Sequence, residues 1–259
     1  MCRWLAYIGA PRLIEAFVYE GKHALCGQAQ QSHQAKLGVH GDGGGLGWYS
    51  TWPEPGVYRN AGPAWADPNL RELTRMVESH VFFAHVRAST GAPNLFVNCH
   101  PFRCERWLFM HNGQIGGFRQ LRRRLEALLS DTCHDALQGG TDSELMFQLM
   151  INEGLQHSPE NAIRRTVEKI ERMRREDGID EAFRATFAVT HGQSVWAVRW
   201  SSDHLAPSLY QKDQDDGVLI VSEPLDEDIS SWREIAPNSL VTAALQHNGR
   251  PLTRLENFF

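Results

Sequence analysis

Cys2 is the residue of this 259-residue chain with the clearest capacity for chemistry. Removal of the initiator Met1 would leave Cys2 with a free α-amine beside its thiol. A thiol has an ordinary pKa of about 8.5 and an α-amine one of about 7.7–8.0, so the amine can accept the thiol proton near neutral pH. Residue type and position therefore predict a nucleophile that carries its own general base. Position 2 taken alone favours a plainer interpretation, a free buried cysteine at the start of an edge strand.

Arg87 follows the apolar and aromatic run 81–86, which predicts a buried strand. A guanidinium at the end of a buried strand needs a carboxylate partner, and its planar fork suits two parallel hydrogen bonds to one carboxylate. That carboxylate belongs either to a substrate or to one of the 31 acidic residues of the chain. Arg87 is therefore a candidate for substrate binding, with an internal salt bridge as the alternative.

Asn112 and Gly113 follow a strand predicted over residues 106–111. The Asn side-chain amide and the Gly backbone N–H, offered side by side, can stabilise an oxyanion, and loss of one such donor costs about 10²- to 10³-fold in rate. Taken alone, the pair also predicts an ordinary Asn-Gly hairpin turn.

Asp142 lies at the start of a predicted helix, directly after Thr141. Its carboxylate can pair with the ammonium group of a substrate. Thr141 and Glu144 also have the spacing of a capping box, and an acidic residue in the first helical turn complements the helix dipole. Both roles are compatible, because a capped helix end is a rigid support for a carboxylate.

The elements that position these residues are predicted from hydrophobic periodicity and from turn signals. Helices are predicted from Asp67-Pro68 to about residue 79 and over residues 117–129, 141–156 and 158–176. Strands are predicted at residues 4–8, 46–50, 81–87, 106–111, 183–191, 194–200, 217–222 and 239–245. The proline-rich stretch 52–68 is predicted to be a surface loop. Strands at both ends with helices between them indicate sheets enclosed by helices in a single domain over residues 1–259.

Composition and charge limit the class of protein. Hydrophobic residues make up 42% and charged residues 22% of the chain, as in ordinary globular proteins. A net charge of −5 argues against a nucleic-acid partner, and the basic trio 122–124 is predicted to be a solvated helix face. Five cysteines without a repeated spacing imply no disulfide framework. No segment has the apolar length of a membrane span or of a signal peptide, so a cytoplasmic location without a membrane partner is predicted.

Several short motifs, in order and spacing, resemble those of class II glutamine amidotransferases, which are N-terminal-nucleophile hydrolases. The matching motifs are Cys2, His85-Val86-Arg87-Ala88-Ser89-Thr90-Gly91, Pro101-Phe102, His111-Asn112-Gly113 and Thr141-Asp142-Ser143-Glu144. The opening Met-Cys-Arg-Trp-Leu-Ala-Tyr-Ile-Gly and the segments 42–49 and 221–225 resemble a stand-alone branch, which includes the γ-glutamyl hydrolase of ergothioneine biosynthesis. Residues 40–45 depart from the Asn-x-Asp-Gly-Phe-Gly form expected there, so the substrate within the branch is left open.

The resemblance implies an α+β fold, a four-layer αββα sandwich of two antiparallel sheets between helical layers. It implies a small-molecule substrate, glutamine or a γ-glutamyl conjugate, and no metal or other cofactor. Cys2 would attack the γ-carbonyl and form a glutamyl thioester, with Asn112 and Gly113 holding the oxyanion. Arg87 would bind the α-carboxylate and Asp142 the α-ammonium, with Thr90 lining the same pocket.

Other interpretations stay open. The protein can be an ammonia-supplying subunit of a partner synthase, or a catalytically inactive subunit if Met1 is retained. A papain-like hydrolase would need an internal nucleophile, for which Cys26 is a poor match. A metal-binding module would use the cluster Cys99, His100, Cys104 and His111, whose spacing matches no zinc motif.

The leaving group depends on the surroundings of the pocket. The aromatic, proline-rich stretch 48–65 is expected, by its order in the chain, near the pocket mouth, where it could hold an extended amine. Loop aromatics folded back on the core are the alternative. These observations favour a γ-glutamyl conjugate hydrolase over a glutaminase subunit.

Overall fold

The computed structural model of the chain describes residues 2–21, 23–30, 41–89 and 93–258. Within these ranges the chain forms two antiparallel β-sheets and seven α-helices. The strands are β1 (Arg3–Leu13), β2 (Gly44–Trp48), β3 (Gly56–Asn60), β4 (Glu78–Val86), β5 (Phe102–Cys104), β6 (Trp107–Gln114), β7 (Arg184–Thr190), β8 (Ser194–Ser201), β9 (Tyr210–Asp213), β10 (Gly217–Val221), β11 (Arg233–Glu234), β12 (Ser239–Leu245) and β13 (Pro251–Asn257). The helices are α1 (Glu15–Val18), α2 (Leu25–Gln30), α3 (Pro68–Met76), α4 (Phe118–Glu126), α5 (Asp131–Asp135), α6 (Asp142–Asn152) and α7 (Pro159–Glu176).

The first sheet has the strand order β11-β9-β10-β1-β4-β2-β3, so the N-terminal strand β1 lies at its centre. Alternate side chains of β1 point to opposite faces of the sheet. Trp4 and Ile8 belong to the hydrophobic layer between the two sheets. Leu5 and Tyr7 belong to the layer between this sheet and helices α1–α3. The buried apolar run from Trp4 to Ile8 is what a central position with two covered faces requires.

The second sheet has the order β13-β12-β8-β7-β6-β5. Leu108 and Met110 of β6 face the first sheet, in the same layer as Trp4. Phe109 and Phe187 lie on the opposite face, where they pack against α4, α6 and α7. Helices therefore cover the outer face of each sheet, and the predicted α+β sandwich with its αββα layering is confirmed.

A close approach at β2 explains one of the clustered glycines. A Cβ added to Gly45 would lie 2.2 Å from the carbonyl oxygen of His100. No side chain fits at that distance, so Gly45 lets the His100 backbone pass directly over the sheet. The glycine-rich stretch before the predicted strand 46–50 thus serves the close backbone approach that its composition indicates.

Several predicted elements need correction. Strand β6 does not end at residue 111 but runs to Gln114, paired through Asn112 with Thr186 and through Gly113 with Ala185, so the Asn-Gly pair is not a hairpin turn. The predicted loop 52–68 contains β3, a half-buried edge strand bonded to β2. Strands β9 and β13 were not predicted. Both are at or near sheet edges, where polar residues interrupt the hydrophobic pattern.

The surface helices agree with the charge pattern. Arg122 of α4 pairs with Glu126 at 2.7 Å, and Arg124 pairs with Glu176 and Asp177. In the described part of the chain, no helix is both long and apolar enough to cross a bilayer.

Candidate functional site

Cys2 immediately precedes β1, where the pairing of Arg3 with Val86 places it beside the end of β4. Its Sγ lies 3.7 Å from the carbonyl oxygen of Ala88. Burial raises the pKa of the Cys2 thiol above its ordinary value, while the positive charge of Arg87 opposes that shift. A thiol in this setting stays protonated near neutral pH unless a base removes its proton.

The start of β1 is held by a buried ion pair that the sequence motifs did not indicate. Arg3 donates from Nε to Glu223 Oε2 at 2.9 Å and from Nη1 to the carbonyl oxygen of Cys2 at 3.0 Å. Ser222 adds a backbone hydrogen bond to the Trp4 carbonyl. Because Cys2 is bonded through its own carbonyl group, these contacts fix its backbone rather than leaving it as a frayed end.

Arg87 follows the last residue of β4 and is only 4% exposed. Its guanidinium donates to the carbonyl oxygen of Asp42, to Asn94 Oδ1 and to Ser89 Oγ, at 3.2–3.3 Å. Asp42 in turn accepts a hydrogen bond from Ser89 N at 2.8 Å through its carboxylate. The guanidinium is therefore held in a fixed direction by several hydrogen bonds.

Asn112 and Gly113 lie on β6, and alternation sends their side-chain positions to opposite faces of the second sheet. Asn112 shares the face of Leu108 and Met110, between the sheets, and is 1% exposed. Neither its Nδ2 nor its Oδ1 has a hydrogen-bond partner among the described residues. A buried amide without partners is costly, and such groups are common where a ligand completes the bonding.

Gly113 has φ +149°, and a Cβ added there would lie 2.0 Å from the carbonyl oxygen of Arg184. Only glycine can occupy this position without displacing β7. Because Gly113 has no side chain, the backbone of β6 is exposed to the cavity at this residue.

Asp142 is the first residue of α6, and both of its carboxylate oxygens accept backbone hydrogen bonds. Oδ2 accepts from Ile115 N at 2.9 Å and Oδ1 accepts from Ser143 N at 2.8 Å. Thr141 caps the helix through Glu144 N, as predicted. The Glu144 side chain does not return to the cap but accepts from the backbone N–H groups of Gln138 and Gly139, so the predicted capping box is only half formed.

One cavity of about 630 Å³ brings these groups together. Cys2, Arg87, Gly113 and Asp142 all line it, although they are separated by up to 140 positions in the chain. Asn112 is buried next to Gly113 rather than in the cavity wall. Thr90 lies outside the described residues. The cavity thus groups the predicted thiol, guanidinium and carboxylate, a set suited to an amino acid whose α-carboxylate and α-ammonium are bound at one end while its side-chain carbonyl meets the thiol.

Two buried histidines outside the predicted set of site residues, His100 and His111, also line this cavity. His111 Nδ1 lies 2.9 Å from Ser143 Oγ, and its Nε2 has no partner among the described residues. The His100 ring stacks on His85, with ring centroids 4.2 Å apart. Burial lowers the pKa of both His100 and His111, so both are neutral at pH 7. Alternation along β6 could have placed His111 on the face of α6, but nothing in the sequence indicated His100.

The described residues do not support the two alternative sites, an internal Cys26 nucleophile and a Cys/His metal cluster. Cys26 is buried in the layer under the first sheet, and burial raises its pKa to about 12, which suppresses the thiolate. The Sγ of Cys99 approaches the carbonyl oxygens of Asn60 and Leu95. No group of three His, Cys, Asp or Glu side chains arranged to hold a metal is found in the described ranges, which include all four residues of the suggested metal cluster.

The stretch 48–65 lies away from the cavity. None of its residues, all of which the structure describes, is in the cavity wall. Trp48 and Trp65 pack instead against the hydrophobic layer under the first sheet. The expectation that this stretch borders the pocket mouth is therefore replaced by the alternative for Trp48 and Trp65, which fold back on the core, while Trp52 is exposed.

Comparisons with known proteins agree with this fold. The family model for class-II glutamine amidotransferases matches residues 23–211. The probable glutamine amidotransferase DUG3 of Saccharomyces cerevisiae is 29% identical over 294 residues, covering 95% of this chain and 82% of the relative. The gamma-glutamyl-hercynylcysteine sulfoxide hydrolase of Mycolicibacterium smegmatis is 26% identical, covering 95% of this chain and 97% of the relative.

The match to one solved structure covers 100% of this chain and 100% of the matched chain. The solved structure is that of a glutamine aminotransferase class-II domain protein from Silicibacter pomeroyi, with a TM-score of 0.77 and 35% sequence identity. The family matches well over half of the chain, and the relatives are named as enzymes of amide bonds. The chain therefore belongs to the class II glutamine amidotransferases, a family of enzymes that act on a carbon–nitrogen amide bond.

Proposed function

We propose that the protein hydrolyses the γ-amide bond of a glutamyl group through a thioester on Cys2. The observation that carries this proposal is the meeting of Cys2, Arg87 and Asp142 in one cavity. A glutamyl group has one carboxylate, one ammonium and one γ-carbonyl, and the cavity offers a complementary group for each.

Binding orients the substrate. Arg87 receives the α-carboxylate in a charge-assisted, bidentate contact, and Asp142 receives the α-ammonium. Because both Asp142 oxygens are already held by backbone N–H groups, the carboxylate has a fixed direction and loses little freedom on binding. The remaining lone pairs of these oxygens accept the ammonium protons.

Attack requires loss of the thiol proton. With Met1 removed, the α-amine of Cys2 takes that proton, and the thiolate adds to the γ-carbonyl carbon. Since burial raises the thiol pKa, an adjacent base is needed at neutral pH. Gly113, in the cavity wall, donates its N–H to the oxyanion of the tetrahedral intermediate. The second donor is the amide of the adjacent Asn112, which is buried outside the wall and has no hydrogen-bond partner among the described residues.

Collapse of the intermediate breaks the C–N bond, and the amine leaves with the proton that the α-amine of Cys2 had taken. Water then adds to the thioester carbonyl, with the same α-amine as base, and the C–S bond breaks. The products are glutamate and the free amine, and the Cys2 thiol is restored.

Substitution of Cys2 tests the proposal. Wild-type protein whose intact mass shows that Met1 is absent should release glutamate from a γ-glutamyl amide. Cys2→Ala should abolish this release while the circular dichroism spectrum stays unchanged, because the nucleophile is lost without a change in fold. The measurement is glutamate release against time, with Cys104→Ala as the matched control. Near-normal turnover by Cys2→Ala, or full activity of a form that retains Met1, would contradict the mechanism.

We propose a γ-glutamyl conjugate, rather than free glutamine, as the substrate. A cavity of about 630 Å³ is in the range that holds ligands well above the size of one amino acid, about 300–1,000 Å³. Beyond the groups for the glutamyl end, its wall includes Phe118, Arg119 and Arg122 of α4, which supply surface for a larger amine. A glutaminase that passes ammonia to a partner synthase is the second candidate, and the name of the yeast relative favours it.

A further inference from the structure

A second cavity, of about 310 Å³, is lined by other residues of the segment 138–144 than those that line the first. Gln138 and Glu144 line the second cavity, whereas Gly140 and Asp142 of the same segment line the first. The wall of the second cavity also includes Arg59, Phe96, Phe102, Arg103, Phe147 and Gln148. No residue belongs to both walls, so the two cavities are separate sites.

Two arginines face this cavity without a carboxylate partner. Arg59 lies over the Phe96 ring at 4.8 Å, and its Nη1 donates to the carbonyl oxygen of Cys99 at 3.4 Å. Arg103 donates to the carbonyl oxygen of Pro55 at 3.2 Å. Within the described ranges, neither guanidinium has an acidic side chain within 4.0 Å.

Arg59 Nε is buried and has no hydrogen-bond partner among the described residues. Burial also lowers the pKa of Arg59, which reflects the cost of keeping its charge there. The carboxylate of Glu144 compensates only in part, because its two oxygens accept from the N–H groups of Gln138 and Gly139. The wall of the second cavity therefore has a net positive charge, and its buried Arg59 Nε–H has no acceptor among the described residues.

Gln148 adds an unused acceptor. Its side chain is on the inner part of α6, 4% exposed, and its Oε1 has no hydrogen-bond partner among the described residues. A buried amide oxygen left without a donor destabilises the folded protein. Phe102 and Phe147 complete the wall with apolar surface. A ligand that satisfies this wall needs an anionic end, a hydrogen-bond donor and a small carbon skeleton.

We infer that the second cavity binds a small carboxylate that carries an O–H or N–H donor next to the carboxylate group, as α-hydroxy acids and α-amino acids do. The ligand carboxylate accepts a hydrogen bond from Arg59 Nε and forms an ion pair with Arg103, since planar guanidinium groups bind carboxylates well. The adjacent donor bonds to Gln148 Oε1. This inference does not depend on the proposed reaction.

Titration of the full chain with glycolate, followed by NMR, tests the inference. Glycolate has both the carboxylate and the adjacent donor, acetate lacks the donor, and inorganic phosphate is an anion of different shape. Glycolate should bind about tenfold more tightly than acetate, because its hydroxyl adds one hydrogen bond in a buried site and such a bond contributes about this factor to the affinity. Arg59→Gln and Arg103→Gln should each weaken glycolate about tenfold or more, because each removes a charged hydrogen bond.

Control variants identify the cavity. Arg250→Gln changes an exposed arginine in the β12–β13 connection and should leave glycolate binding unchanged. Arg87→Gln removes the guanidinium of the first cavity and should also leave it unchanged. Gln148→Met should reduce glycolate to the affinity of acetate. Because Arg103 is exposed, Arg103→Gln should fold normally and keep the test decisive if Arg59→Gln does not fold.

Three results would overturn the inference. The first is glycolate binding that survives both Arg103→Gln and Arg59→Gln. The second is binding lost in Arg87→Gln, which would place the ligand in the first cavity. The third is phosphate or acetate binding as tight as that of glycolate, which would make the wall a general anion site without a role for Gln148.

Discussion

At the scale of single residues, the Cys2 thiol lies between opposite charges. Arg87 lowers and Asp142 raises its pKa, and both are smaller causes than burial. Burial is therefore the main cause of the raised thiol pKa, and the two charged side chains line the same cavity, where they can meet the charged ends of a substrate. We propose on this basis that binding and chemistry can be separated by substitution.

Arg87→Ala and Asp142→Ala should mainly raise KM, because each removes a partner for a charged group that does not change during the reaction. Asn112→Ala should mainly lower kcat, by about 10²- to 10³-fold, because it removes a donor to charge that develops only in the transition state. Steady-state kinetics on one γ-glutamyl amide measure both effects. Asn161→Ala, at an exposed position of α7, is the matched control. A raised KM with unchanged kcat for Asn112→Ala would remove Asn112 from the oxyanion site.

Buried histidines should make stability depend on pH. Burial lowers the pKa of His100 and His111, so below about pH 6.5 the unfolded chain binds protons that the folded protein does not. Stability should therefore be full above about pH 7 and fall as the pH drops below 6.5, by up to about 1.4 kcal/mol per pH unit for each histidine. Denaturant unfolding between pH 7.5 and 5.5 measures this slope, and most carboxylates stay ionised over that range. His100→Asn should reduce the slope, and an unchanged slope would show that His100 does not supply it.

At the scale of elements, strand β6 contributes several groups to the site because successive residues point to opposite faces of the second sheet. Asn112 faces the layer between the sheets, while His111 faces α6 and bonds Ser143. Gly113 lets the strand continue where a side chain would strike β7. The same strand therefore supplies an amide, a ring nitrogen and a bare backbone within three residues.

Gly113→Ala should destabilise the protein by about 3 kcal/mol or more, since the added methyl meets the Arg184 carbonyl oxygen and the backbone is in a region unfavourable to other residues. Gly249→Ala is the matched control. Gly249 also has a positive φ, +76°, but an added Cβ there has no neighbour within 4 Å, so the expected cost is about 1 kcal/mol. Urea unfolding of both variants measures the difference. Equal losses would mean that β7 moves aside at little cost.

At the scale of the whole molecule, the layer between the sheets joins the nucleophile to the rest of the site. Trp4 of β1 and Met110 of β6 are in this layer, and the residues next along each strand on the same face are Cys2 and Asn112. Packing of the two sheets therefore sets the position of the thiol relative to the amide. That residues 1–259 form a single domain stays a prediction.

The choice of leaving group also belongs to this scale, because the α4 side of the cavity is remote in sequence from Cys2. On the isolated protein, kcat/KM for a γ-glutamyl conjugate with an extended amine should exceed that for glutamine, since the larger amine contacts wall surface that ammonia cannot reach. Competition between glutamine and a γ-glutamyl thio-amino-acid conjugate measures the ratio. Arg123→Gln, on the exposed face of α4 outside the cavity wall, is a control for general changes in that helix. A value for glutamine equal to or above every conjugate tested would favour a glutaminase that serves a partner protein.

The sequence by itself determined the family and the layered α+β fold through the resemblance of its motifs, and it determined the main helices through hydrophobic periodicity, which is a local property of a chain. It indicated Cys2, Arg87, Asn112, Gly113 and Asp142 as site residues, and their roles stay predictions. It placed α7 closely, since Pro159 begins that helix, and it gave the bounds of β12.

Only the tertiary structure decided which groups meet. The ion pair of Arg3 with Glu223 joins residues 220 positions apart, and no local pattern predicts such a contact. His100 reaches the cavity because the glycine at position 45 lets its backbone cross the sheet. Asn112-Gly113 is strand rather than turn because β7 bonds it, and edge strands such as β3 form only where a neighbouring strand offers hydrogen bonds. In each case the deciding free energy comes from packing and pairing between distant segments, which a single sequence does not contain.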